Sequence, residues 1–125
     1  MIVLAVPDTT RDARDPRGEL GGETVRWRRV AVRGPSMSPT LADGDVVLVR
    51  FGAAPREGDV VLVRWAARPA QLSVKRAVRP DGDGWWVRGD NPFGSTDSAA
   101  LGAAEVLGVV RARLWPRPGR LPAAP

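Results

Sequence analysis

Cysteine is absent from the 125-residue chain, and so is histidine. The first absence excludes disulfides, zinc–thiolate sites and a cysteine nucleophile. The second removes the side chain that most often serves as general base or metal ligand, and with it any serine–histidine–aspartate triad. A metal site would have to be built from carboxylates alone, and neither a metal nor another cofactor is expected. Long apolar runs are missing too: none approaches the ~20 residues that a bilayer-crossing helix needs. Met1 to Val6 is apolar but stops at Pro7, lacks a basic leader and is too short for the core of a secretory signal. The chain as given is expected to carry no export signal and no membrane anchor, and to work in the cytoplasm. Lysine is nearly absent as well. Of 19 Lys plus Arg, 18 are Arg, and the exception is Lys75. A GC-rich coding sequence accounts for the arginine excess, but the exception matters chemically. Arginine stays protonated in proteins, whereas burial can neutralise a lysine. A site that needs a neutral amine as its base has one candidate here.

What is present describes a β-rich chain. Its length gives room for one domain with one modest core. The 14 Gly and 12 Pro make turns frequent and interrupt long helices. The net charge is +5, yet the arginines are interleaved with Asp and Glu. The densest group, Arg26, Arg28, Arg29 and Arg33 around Trp27, reads as a solvated strand face, so no nucleic acid partner is expected. Trp85 and Trp86 read as a strand anchor and a rim residue. Residues 1–24 are expected to form a flexible N-terminal arm, 25–115 the folded domain, and 116–125 a Pro-rich tail without structure. Strands are predicted at Val25 to Val32, Val46 to Phe51, Val60 to Trp65, Gln71 to Arg79, Trp85 to Arg88 and Val106 to Leu114, with Arg68 to Ala70 as a loop. Asp81-Gly82-Asp83-Gly84 has the turn chemistry of a β-hairpin over 71–88. The heptapeptide GDVVLVR occurs identically at 44–50 and 58–64, and the two copies read as a hairpin-like pair of buried strands. No helix longer than two turns is predicted. The fold class is mainly β, a single small domain of short strands.

Three segments carry candidate chemistry. In Gly34-Pro35-Ser36-Met37-Ser38-Pro39-Thr40-Leu41, a serine stands on a constrained turn at a strand end, where backbone N–H groups can converge as an oxyanion hole requires. Taken alone, the segment reads equally well as a serine-rich turn. In Ser73-Val74-Lys75-Arg76-Ala77-Val78, a strand places Ser73, Lys75 and Ala77 on one face. Desolvation there disfavours the ammonium and lets the amine accept a proton from a hydroxyl. Taken alone, Lys75 also reads as a surface lysine on an edge strand. The third segment, Gly89-Asp90-Asn91-Pro92-Phe93-Gly94-Ser95-Thr96-Asp97-Ser98, reads by itself as a polar loop.

In this order the three segments resemble the signature boxes of type I signal peptidases, the S26 family of serine peptidases. Residues 36–41 match the serine box Ser-Met-x-Pro-Thr-Leu. Lys75-Arg76 match the lysine box. Residues 89–91 and 95–98 match the late box, Gly-Asp-Asn followed by Ser-x-Asp-Ser. The similarity covers roughly residues 30 to 114. It implies a signal peptidase/LexA-like catalytic core, with Ser36 as nucleophile and Lys75 as general base. Ser95 would orient the lysine amine, and Asp97 would brace the site. Gly89, Asp90 and Asn91 would shape the adjoining loop, and the Ser36 N–H would be one oxyanion donor. Some members carry a second donor hydroxyl two residues before the nucleophile, where this chain has Gly34. Ala99 stands where an Arg often pairs with the late-box Asp, which implies an altered brace. Ser38, a competing hydroxyl, falls at the variable position of the serine box.

Within that family, a small branch that matures nickel-type superoxide dismutase is the most similar, through Gly-Pro-Ser-Met-x-Pro-Thr-Leu, Val-Lys-Arg, Gly84-Trp85-Trp86-Val87 and Gly-Asp-Asn-Pro. The arginine-rich composition suits a high-GC bacterium. The resemblance implies that the partner is a precursor protein whose N-terminal leader is removed. Because an extended peptide can pair with an exposed sheet edge, the substrate is expected to bind as an added strand beside Gly34. Two other classes stay open beside a non-enzymatic binding module, in which Ser36→Ala and Lys75→Ala would change nothing. One is a general signal peptidase acting on exported proteins. The other is a self-cleaving repressor domain, for which the first 24 residues offer no helix-turn-helix.

Overall fold

Valine-rich runs separated by Gly-Asp turns build the molecule, because β-branched side chains pack well on a pleated surface and glycine supplies the turns. A computed structural model describes residues 3–6, 26–94 and 96–125, the first four through their backbone. The strands are β1 (Val3–Val6), β2 (Arg26–Val32), β3 (Val46–Phe51), β4 (Val60–Trp65), β5 (Arg68–Asp81), β6 (Gly84–Arg88) and β7 (Glu105–Trp115). One helical turn, α1 (Ser98–Leu101), precedes β7. All pairings are antiparallel, in the order β1-β2-β3-β7-β4-β5-β6. The fold is mainly β, as the sequence implies. No helix among the described residues is long and apolar enough to cross a membrane.

The sheet buries apolar side chains on both faces. Val30, Val32, Val47, Val49, Leu62 and Val74 form one cluster, capped by Met37 and Leu41 from the loop after β2. Val61, Val63, Trp65, Ala77, Val87 and Val109 form the other. A bridge between Trp85 and Ala104 draws β6 toward the start of β7, so the sheet curls around this second cluster.

Four expectations are corrected. The two GDVVLVR copies do not pair with each other, because β7 runs between them. Its eleven residues are long enough to serve both: Gly108 to Trp115 pair with β3 and Glu105 to Val109 with β4. Position 108 must be glycine for this close approach, since a Cβ there would lie 2.7 Å from Val49 Cγ1 and 2.9 Å from the Arg50 carbonyl oxygen. Arg68 to Ala70 are not a loop but the start of β5, whose first residue pairs with Trp65. The tail is not structureless. Arg113 and Gly119 exchange backbone hydrogen bonds of 2.8 and 2.9 Å, and Leu121 packs on the first apolar cluster. Finally, Val3–Val6 of the expected arm form β1 along β2, in the register Val3 opposite Val32 to Val6 opposite Arg29; the rest of the expected arm lies outside the described residues. The outer edge of β2 offers unpaired backbone groups that a short apolar run can satisfy.

Gly108→Val forces a side chain from β7 against β3. It is expected to lower stability by about 1–3 kcal/mol, seen as a lower urea midpoint with an unchanged slope.

Candidate active site

The chain leaves β2 through Gly34, whose φ of 81° lies in the left-handed region where a side chain is strained. Its N–H donates to Asp43 Oδ1 at 2.6 Å. From there the backbone winds into a turn, with Ser38 N–H donating to the Pro35 carbonyl (3.0 Å) and Leu41 N–H to that of Met37 (2.9 Å). Met37 and Leu41 sink into the first apolar cluster and anchor the turn. Arg113 holds its far end, donating from Nη1 to the Thr40 carbonyl at 3.2 Å. Ser36 is fully buried, and its Oγ has no hydrogen-bond partner among the described residues.

Lys75 lies on β5 opposite Val61, and Ser73 lies opposite Val63. Both therefore share the face of the second apolar cluster, which confirms the pleat expected from the sequence. Lys75 is fully buried. Burial draws its pKa from the ordinary 10.5 down to about 8, against the opposing pull of the Asp97 carboxylate. A substantial neutral fraction is thus present slightly above neutral pH.

Arg76, the next residue, points to the opposite face and meets Asp90. The guanidinium grips the carboxylate at two points, Nε to Oδ1 at 3.2 Å and Nη2 to Oδ2 at 2.7 Å. Both side chains are almost completely buried, with 4% and 2% exposure. The Thr40 hydroxyl donates to the same Oδ2. Arg76 Nη1 donates to the carbonyls of Gly58 (2.9 Å) and Pro122 (3.3 Å). This bidentate, charge-assisted pairing is the kind that a buried ion pair requires.

Asn91 ties the late loop to the serine turn. Its N–H donates to the Ser36 carbonyl and its side-chain amide to the Pro35 carbonyl, each at 2.9 Å. Asp97 caps α1 by accepting from Ala99 N–H at 3.0 Å. The structure thus gathers the serine turn, β5 and residues 89–91 around Asp90. Among the described residues it gives the Ser36 hydroxyl no hydrogen-bond partner, and the Gly34 N–H is occupied by Asp43. Ser95 lies outside the described residues. Among the described residues no group of three or more carboxylates is placed to hold a metal ion.

Sequence reasoning missed three buried hydroxyls. Thr40 completes the Asp90 contact, and the position between Pro39 and Leu41 carried no sign of a partner fifty residues away. Ser98 Oγ accepts from Val87 N–H at 2.9 Å. Ser73 Oγ is buried with no hydrogen-bond partner among the described residues; its strand position beside Lys75 was the available signal.

Two measurements test this electrostatic arrangement. Asp90→Ala strands a buried guanidinium and is expected to cost about 3–5 kcal/mol in urea unfolding. Lys75→Met should raise stability at neutral pH. The folded-state pKa is depressed, so the unfolded chain binds the proton more tightly. The penalty is full below about pH 8 and disappears as pH rises through 10.5. At about 1.4 kcal/mol per pH unit, the gain is about 3 kcal/mol at neutral pH and vanishes in strong alkali.

A family model described as Peptidase S24-like matches residues 23–111. A search among curated proteins finds no match.

Proposed function

Because the chain belongs to the Peptidase S24-like family, we propose that it is a serine endopeptidase in which Ser36 is the nucleophile and Lys75 the general base. The observation that carries the assignment is the state of Lys75. The chain's one lysine is fully buried, and desolvation brings its pKa to about 8. A buried amine near neutrality is costly to a fold and useful to a base. The turn after β2 presents a buried hydroxyl, Ser36 Oγ, without a partner among the described residues. Asp90 anchors both segments, through Thr40 on one side and Arg76 on the other.

The reaction is acyl transfer. Neutral Lys75 takes the Ser36 proton as Oγ adds to the scissile carbonyl carbon, and the Ser36 N–H stabilises the resulting oxyanion. The ammonium then gives that proton to the departing amine as the C–N bond breaks. Water adds to the acyl-enzyme with Lys75 again as base, releasing the acid and restoring Ser36. Asp97 holds the lysine by charge, and Ser95 orients its amine. Gly89, Asp90 and Asn91 shape the loop beside them.

The substrate is a precursor protein with an N-terminal leader, and the nickel-type superoxide dismutase precursor is the first candidate, on the resemblance of the serine, lysine and late boxes. It binds as an extended strand beside Gly34, on the edge of β2 that leads into Ser36.

Co-expression with that precursor, followed by mass spectrometry of its N-terminus, tests the reading. Wild type should remove the leader, whereas Ser36→Ala and Lys75→Ala should leave it intact. Leader removal by Ser36→Ala would overturn the dyad. An intact leader with wild type would overturn the substrate. With a purified substrate, kcat/KM should rise with pH to a plateau, with an apparent pKa near 8.

A further inference from the structure

The edge of β2 that a substrate strand would use is already taken. β1 pairs with its last four residues, Arg29 to Val32, placing Val3 opposite Val32, two residues before Gly34. Residues of β1 also come close to β5, the strand that carries Lys75. One strand edge offers one row of N–H and C=O groups, and it cannot pair with two strands at once.

We propose that β1 is a built-in occupant of the substrate-strand position, and that an extended substrate is admitted only by exchange with it. This rests on the serine peptidase reading above. Three features fit a strand made to leave. It is four residues long, short for a stable edge strand. Pro7 follows it directly and has no N–H with which to extend the pairing. It runs antiparallel to β2, so its first residues, rather than its last, are the ones directed toward the serine turn. A peptide that runs parallel to β2 brings its later residues to Ser36, so β1 holds the groove in the opposite sense. The free enzyme is therefore divided between a closed form with β1 in place and an open form, and the apparent KM is the intrinsic value divided by the open fraction.

The absence of cysteine permits a reversible test. Leu4 and Ala31 are directly opposed in the ladder, within the reach of a cross-strand disulfide. The double variant Leu4→Cys/Ala31→Cys, with the disulfide confirmed by mass, is assayed on the dismutase precursor before and after reduction. The expected result is a loss of about tenfold or more in kcat/KM on oxidation, fully recovered with reductant. Equal rates in the two redox states, or a loss that reductant does not recover, would overturn the inference. Leu4→Pro supplies an independent readout, since it disrupts β1 without a crosslink. It should lower KM severalfold and leave kcat unchanged, and an unchanged or higher KM would count against β1 as occupant. Each assay includes Ser36→Ala. If the reduced enzyme does not cleave, or Ser36→Ala cleaves equally, the peptidase reading itself has failed and this inference falls with it. If cleavage depends on Ser36 but ignores the tether, only the role of β1 is wrong.

Discussion

The buried pair of Arg76 and Asp90 is the contact on which the rest of the site depends. Taking two charges out of water is expensive, and the attraction between them compensates only when geometry is good and remaining donors are satisfied. Here the guanidinium spreads its donors over Asp90, Gly58 and Pro122. The carboxylate also accepts from Thr40. Five separate parts of the chain therefore meet at one ion pair: the serine turn, the turn before β4, β5, the late loop and the tail. Hydrogen bonds of this kind are directional, so they fix positions more tightly than apolar packing alone does.

The alternation of β5 gives this arrangement its chemical logic. Consecutive residues point to opposite faces, and consecutive residues here are both cationic. Arg76 meets a carboxylate in direct contact and keeps its charge. Lys75 turns toward Val61, Ala77 and Val87, where Asp97 offers only partial compensation and the amine loses affinity for its proton. Exchanging the two residue types would fail on both faces, because arginine cannot be neutralised and lysine cannot form the two-pronged contact.

Much of this was legible in the sequence. Valine-rich segments bounded by glycine turns specify strands, and the period of two placed Ser73, Lys75 and Ala77 on one face. The motif order drew attention to Asp90 and Asn91, which do contact the serine turn. What could not be read were choices between equivalent partners. The copies of GDVVLVR carry identical local information, yet in β4 Val60 to Val63 are all buried, while β3 alternates. The difference comes from β7 and the layers around it, which neither heptapeptide encodes. The Pro-rich tail misled for a related reason. Proline forbids regular structure locally, but Arg113 and the exposed face of the first apolar cluster supply distant partners. β1 was invisible because four apolar residues do not show which edge they will find.

The position of β7 also bears on how the fold comes into being during synthesis. The central strand of the sheet is the last of the seven along the chain. Until it emerges from the ribosome, β2–β3 and β4–β5–β6 are separate halves with no shared ladder. Arg113, which clamps the serine turn, arrives with the same strand. Contacts between residues so far apart in sequence form late. A nascent chain thus carries the serine turn and β5 for some time without the central strand that joins the two halves of the sheet.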